Sequence, residues 1–425
     1  MMALPFRKTV LDNGLRIIQV RQPESLATTV FVLVATGSEY EVESRNGISH
    51  FLEHLCFKGT EKRPTSRDIA VELDTLGAEY NAFTSTEVTG YYAKAANEHF
   101  PVLLDVVSDI YLNSTLDPAE LEKERGVIIE EINMKEDVPM DKVGEVFEEL
   151  LYGNQPAGWS IIGKRETVER LTREEIEAYR AAQYSAGKTV VVVSGGYEGE
   201  VVRMVSDAFK SIAAAPIEAK VRTVEEQREP QFVLVKKKTD QAHLVLGLRT
   251  FSVFDPRRYA LTVLNGVLGG SMSSRLFHRI REVMGAAYYV ASFTEFSSDH
   301  GYLAVSLGTE KRRTGEVVRA VLEELARIRD ERVSDDELEK VKEGLAGRMV
   351  LRLETSDELA SFFGGDEVTT GDARSPEEIL QKLRAVTAEE VQEVARDIVK
   401  DEGLNLACIG NLDSEEELRQ LLRLG

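Results

Sequence analysis

Thr172-Arg173-Glu174-Glu175-Ile176 opens one stretch of the chain, and Thr387-Ala388-Glu389-Glu390-Val391 opens another. In both, a Thr at a helix start stands three residues ahead of a Glu, the pattern of a capping box. Each is followed by a helical stretch, a break and an apolar strand. The strands are Val190-Val191-Val192-Val193, running to Gly195, and Leu404-Asn405-Leu406-Ala407-Cys408-Ile409, running to Gly410. Thr387 lies 215 residues after Thr172, and Gly410 lies 215 after Gly195, so the spacing holds from end to end. The same helix, break and strand at equal spacing marks a duplicated unit.

Working outward, Leu15 to Val20 and Thr29 to Val34 alternate apolar and polar character, and long amphipathic stretches follow them. Asp12-Asn13-Gly14 reads as a hairpin turn and Asn46-Gly47 as a loop just before a helix. No regular βαβ rhythm is present. The expected fold is α+β: two homologous domains, each an antiparallel sheet with helices packed on one face. A chain of 425 residues exceeds the size at which single cores stop growing. Ala213 to Pro230 loses its periodicity and collects Ala, Pro and charge, as an interdomain linker does. The expected domains are residues 1–215 and 231–425, with 216–230 between them.

Composition excludes several classes of function. Fifty-two basic against 73 acidic residues leave a formal charge of −21, which opposes nucleic acid and anionic membranes. No apolar run approaches the roughly 18 residues that span a bilayer. Met1 to Val10 carries no apolar core with a small-residue cleavage site, so a cytoplasmic protein without a membrane partner is expected. The two cysteines, Cys56 and Cys408, fall in different halves and form no disulfide framework.

The chemistry is concentrated in Gly47-Ile48-Ser49-His50-Phe51-Leu52-Glu53-His54-Leu55-Cys56-Phe57. On a helix, positions i and i+4 lie one above the other, so the imidazoles of His50 and His54 can close on one metal ion, and Glu53 shares their face. Hydrolytic zinc takes three protein ligands and leaves a fourth place to water; a carboxylate beside that water is the base it needs. A third ligand is expected from the helical stretch Ala119 to Asp137. There Leu121, Glu124, Ile128 and Glu131 fall on one stripe, and acids on an inward-facing stripe need a partner. Glu131 is the candidate ligand, and Glu124 the group that orients a ligand histidine. Glu130 competes from about 100° round the helix, and a solvated acidic face is the plain alternative.

His50-x-x-Glu53-His54, with Glu131 lying 77 residues beyond His54, resembles the inverted zinc motif of the pitrilysin-type (M16) metallopeptidases. The surrounding His50 to Thr60 and Glu124 to Glu131 are similar to that family as well. The resemblance implies one Zn2+ per chain on His50, His54 and Glu131, with Glu53 as general base and Glu124 in support. It also implies an active-site edge strand in Gly77-Ala78-Glu79-Tyr80-Asn81-Ala82-Phe83-Thr84, where Asn81, Ala82, Phe83 and Thr84 would pair with an extended peptide substrate. Arg281 and Tyr288, beyond the run Gly269-Gly270-Ser271-Met272-Ser273-Ser274, would reach the catalytic centre from the domain without metal. Two identical chains would pair to enclose a chamber, so that these two residues serve the partner's zinc. Short or unfolded peptides would then be hydrolysed. The alternative implied by the same family is a non-catalytic or partner-dependent subunit.

Overall fold

The computed structural model describes residues 6–215, 217–412 and 415–424. Residues 1–5 of the leader reading and Pro216 of the linker lie outside them. Two compact units are present. The first holds a six-stranded sheet in the order β1-β2-β6-β3-β5-β4, built from β1 (Phe6–Val10), β2 (Arg16–Arg21), β3 (Ala27–Val34), β4 (Glu79–Thr84), β5 (Thr89–Ala96) and β6 (Thr189–Gly195). The second holds a five-stranded sheet in the order β7-β11-β8-β10-β9, built from β7 (Gln231–Val235), β8 (Gln241–Arg249), β9 (Ala287–Phe296), β10 (Gly301–Glu310) and β11 (Leu404–Ile409).

The two strands that revealed the repeat occupy equivalent places. β6 runs parallel to β2 and antiparallel to β3. β11 runs parallel to β7 and antiparallel to β8. Both preceding helices, Arg173–Gln183 and Ala388–Ile398, begin with complete capping boxes, Thr172 with Glu175 and Thr387 with Glu390. The α+β class and the duplication therefore stand, with two refinements. Each sheet is mixed, since it carries one parallel pair. Each also packs helices on both faces.

The second refinement follows from strand composition. Val191 and Val193 of β6 join the core beneath the Ile48–Cys56 and Phe100–Asn113 helices, whereas Val190 and Val192 join a second cluster with Phe363 and Leu359. A strand apolar at every position needs cover on both sides. That cover is the Ser356–Thr370 helix, so residues 349–378 belong to the first unit although they come from beyond the linker. The exchange is reciprocal. The Pro139–Tyr152 helix packs Val143 and Phe147 against Val245, Ala304 and Ala407 of the second sheet, and residues 133–158 belong to that unit. Neither unit is a contiguous stretch, so boundaries at 215 and 231 omit one helical segment from each.

The linker is held at Lys220 and Val224. Lys220 pairs with Glu39 and Glu87 of the first unit. Val224 donates its N–H to Gln155 of the second at 2.9 Å. Among the described residues, no helix is long and apolar enough to cross a membrane.

Candidate metal centre

The helix Ile48–Cys56 starts where Gly47, at φ +96°, turns the chain in a conformation that L side chains rarely adopt. A Cβ on Gly47 would also lie 2.7 Å from the Ile162 carbonyl, so glycine is required there twice over. Ile48, Phe51, Leu52 and Leu55 bury the rest of the helix in the core of the first unit. This packing fixes its rotation, and His50, Glu53 and His54 lie together on the remaining face.

The His50 and His54 rings sit edge to face with centroids 4.6 Å apart. Glu131 arrives from the Pro118–Asp137 helix, whose inward stripe buries Leu121, Glu124 and Ile128. Its Oε2 lies 3.6 Å from His50 Nε2 and 3.7 Å from His54 Nε2. Tetrahedral zinc with bonds of about 2.0–2.1 Å spans about 3.3 Å between ligand atoms, so small side-chain adjustments close this group on an ion. Two imidazoles and one carboxylate, with a fourth direction left open, are the donor set of hydrolytic zinc. His50, His54 and Glu131 would hold the metal. Glu130 is exposed on the outer face of its helix, which removes it as a competitor.

Glu124 is buried and accepts a hydrogen bond from His54 Nδ1 at 3.0 Å. That bond places the proton on Nδ1 and leaves the Nε2 lone pair facing the metal position. The other Glu124 oxygen is 2.7 Å from Lys58 Nζ. Lys58 was missed in the sequence; it lies two residues beyond the end of the helix, where helical periodicity no longer says which way a side chain points.

Thr84, expected to meet substrate through its backbone, also has a side-chain role: its hydroxyl donates to Glu53 Oε2 at 2.6 Å. Burial pushes the Glu53 carboxyl above its usual range, and the Thr84 bond and His54 oppose that shift. A carboxylate kept from water is a stronger base than an exposed one. Replacing Thr84 with Val removes a hydrogen bond to a charged group, worth about 1.5–3 kcal/mol. We expect Thr84→Val to lower kcat about tenfold with KM nearly unchanged, and Thr84→Ser to restore it; steady-state kinetics on a fluorogenic peptide would decide. A change confined to KM would mean that the hydroxyl serves substrate rather than Glu53.

Thr84 ends β4, the outer strand of its sheet, which pairs only with β5 among the described residues. Tyr80 and Ala82 pack toward the core, while Asn81 and Phe83 point the other way. Asn81 turns its Oδ1 to the Ala82 N–H at 2.9 Å, and Phe83 is partly exposed against Phe31. The free main-chain groups of this edge can accept an added strand.

Arg281 and Tyr288 belong to the second unit. Arg281 lies in the π-helical turn Phe277–Val283, its guanidinium 5.9 Å from the Tyr288 ring, and Tyr288 is 77% exposed. Cys56 is buried, and its thiol is pushed up to about 11, as an inert side chain behind the helix would be.

Comparison with known proteins gives the family. Residues 16–165 match the family described as Insulinase (Peptidase family M16), and residues 170–345 match the Peptidase M16 inactive domain. The chain is 37% identical to YmxG of Bacillus subtilis, named an uncharacterized zinc protease, over 93% of this chain and 96% of that protein. It is 31% identical to the mitochondrial-processing peptidase subunit beta of Neurospora crassa, over 95% of this chain and 88% of that one. The crystal structure of a protease from Helicobacter pylori shares the fold, with a TM-score of 0.88 at 22% identity over 96% of this chain and 100% of that chain. The chain belongs to peptidase family M16.

Proposed function

We propose that this chain is a zinc-dependent endopeptidase that hydrolyses short or unfolded peptides inside a chamber formed by two copies. The observation that carries the reading is the convergence of His50, His54 and Glu131 beside Glu53, with Glu53 tied by Thr84 to an open sheet edge. Zinc, when bound, supplies Lewis acidity at a peptide carbonyl and toward water. The edge strand Glu79–Thr84 aligns an extended substrate through main-chain hydrogen bonds. Glu53 takes a proton from the attacking water and returns it to the leaving amine. In the paired chains, Arg281 would hold substrate backbone and Tyr288 would donate to the developing oxyanion of the partner's site. The names of the relatives support peptide hydrolysis and zinc as the metal.

The test is cleavage of a mixture of unfolded peptides by the full chain, with metal removed by 1,10-phenanthroline and zinc then restored. Cutting that disappears and returns with about one zinc per chain is expected. A protein that holds zinc and cuts nothing would overturn the reading in favour of a non-catalytic or partner-dependent subunit.

A further inference from the structure

The metal-bearing helix is nine residues long and begins after a glycine that offers no side-chain cap. So short a helix is marginal by itself, and the N–H groups of its first turn have no partner within it. His50, the first metal ligand, sits in that turn. The missing cap comes from Glu41, which lies outside the helix and is 3% exposed. Its Oε2 accepts from the Gly47 N–H at 2.7 Å and from Asn46 Nδ2 at 2.9 Å, and its Oε1 accepts from the Ser49 N–H at 2.9 Å. Both oxygens thus grip the backbone on either side of Ile48, where the helix dipole is positive.

Glu41 is also an expensive way to cap a helix. Among the described residues it forms no ion pair with Lys, Arg or His, and burial pushes its carboxyl up to about 7 against those hydrogen bonds. A local Ser, Thr or Asn at the N-cap would satisfy a first-turn N–H without burying an unpaired charge. What a two-oxygen carboxyl adds is a simultaneous grip on the Gly47 and Ser49 N–H groups, at the end of the helix that carries His50. The cap continues into a buried polar chain. Ser49 Oγ and Tyr179 OH are 2.7 Å apart, Tyr179 OH and Thr36 Oγ1 are 3.0 Å apart, and Thr36 donates to Gln183 at 3.3 Å. Lys188 closes that chain by donating to Gln183.

We propose that Glu41 is a positioning residue for the metal centre: by gripping the first turn of the Ile48–Cys56 helix it fixes His50 and raises metal affinity. The inference rests on the metal-centre reading above. It is tested on full-length apo wild type, Glu41→Gln, Glu41→Asp and Tyr179→Phe by zinc competition against a chromogenic chelator, with cobalt(II) absorption as a report on ligand geometry. Circular dichroism checks the folding of each apo form.

Glu41→Gln turns an amide N–H₂ toward one backbone N–H. It is expected to keep the apo fold, to bind zinc at least about tenfold more weakly and to lose cobalt absorption intensity. Glu41→Asp is expected to recover part of both, and Tyr179→Phe, which breaks the adjoining chain but leaves the cap, to bind zinc within about twofold of wild type. Three results would overturn the proposal. They are Glu41→Gln binding zinc like wild type, Tyr179→Phe losing as much as Glu41→Gln, and both Glu41 variants failing to fold without metal, which would make Glu41 a folding group. Wild type without zinc affinity would instead sink the metal-centre reading itself.

Discussion

Glu53→Gln is expected to lower kcat/KM toward an unfolded peptide by about 1,000-fold or more, equivalent to about 4 kcal/mol in the barrier, while zinc stays bound. The amide has the shape of the carboxylate and still accepts the Thr84 hydroxyl, so the Ile48–Cys56 helix and the ligand histidines keep their places. What it cannot do is take a proton. Burial holds the Glu53 carboxyl above its usual range, and no other carboxylate of the cluster is free to replace it. Glu131 faces both histidines, and Glu124 is committed to His54 and Lys58. Cleavage followed by chromatography, beside zinc content on the same sample, measures both halves of the claim. Equal cutting by variant and wild type would mean a contaminating peptidase.

The site was legible in the sequence because one helical period fixes it. His50, Glu53 and His54 must share a face, and the stripe of Leu121, Glu124, Ile128 and Glu131 points the second helix inward. Its exposed neighbour Glu130 lost on the same geometry. Partners that act across long sequence separations carried no such signal, because periodicity says which side of an element is buried and nothing of what covers it. Glu41 gave no signal for a different reason: it is only six residues before Gly47, but it caps a helix it does not belong to. The Pro139–Tyr152 and Ser356–Thr370 helices each cross to the sheet of the other half, and no local pattern announces it. The uninterrupted run Val190 to Val193 held a hint of this, since both faces of such a strand need cover. Parallel pairing of β2 with β6 was hidden for the same reason: Arg16 pairs with Val190, far along the chain, and neither strand's own pattern names its partner.

Glu131→Gln is expected to separate metal binding from folding. Without an ion, Glu131 places a negative charge beside Glu53 and is one of the causes that raise the Glu53 pKa. Neutralising it relieves that repulsion, so the apo variant should melt at or slightly above the temperature of apo wild type. With zinc the order reverses. A ligand that binds only the folded state stabilises it by about 2.7 kcal/mol when present at 100 times its Kd, and wild type should gain a clear rise in Tm. A neutral amide oxygen is a poor third ligand, so the variant should show little or no zinc-dependent rise, together with zinc affinity weakened by more than the roughly 100-fold that loss of a supporting group such as Glu124 would cause. Activity should fall with bound metal, unlike Glu53→Gln, which keeps the metal and its thermal shift. Differential scanning calorimetry of both variants, with and without zinc, reads the contrast directly. An unchanged zinc shift in Glu131→Gln would remove Glu131 from the ligand set, and with it the argument that the stripe on the Pro118–Asp137 helix faces a metal ion.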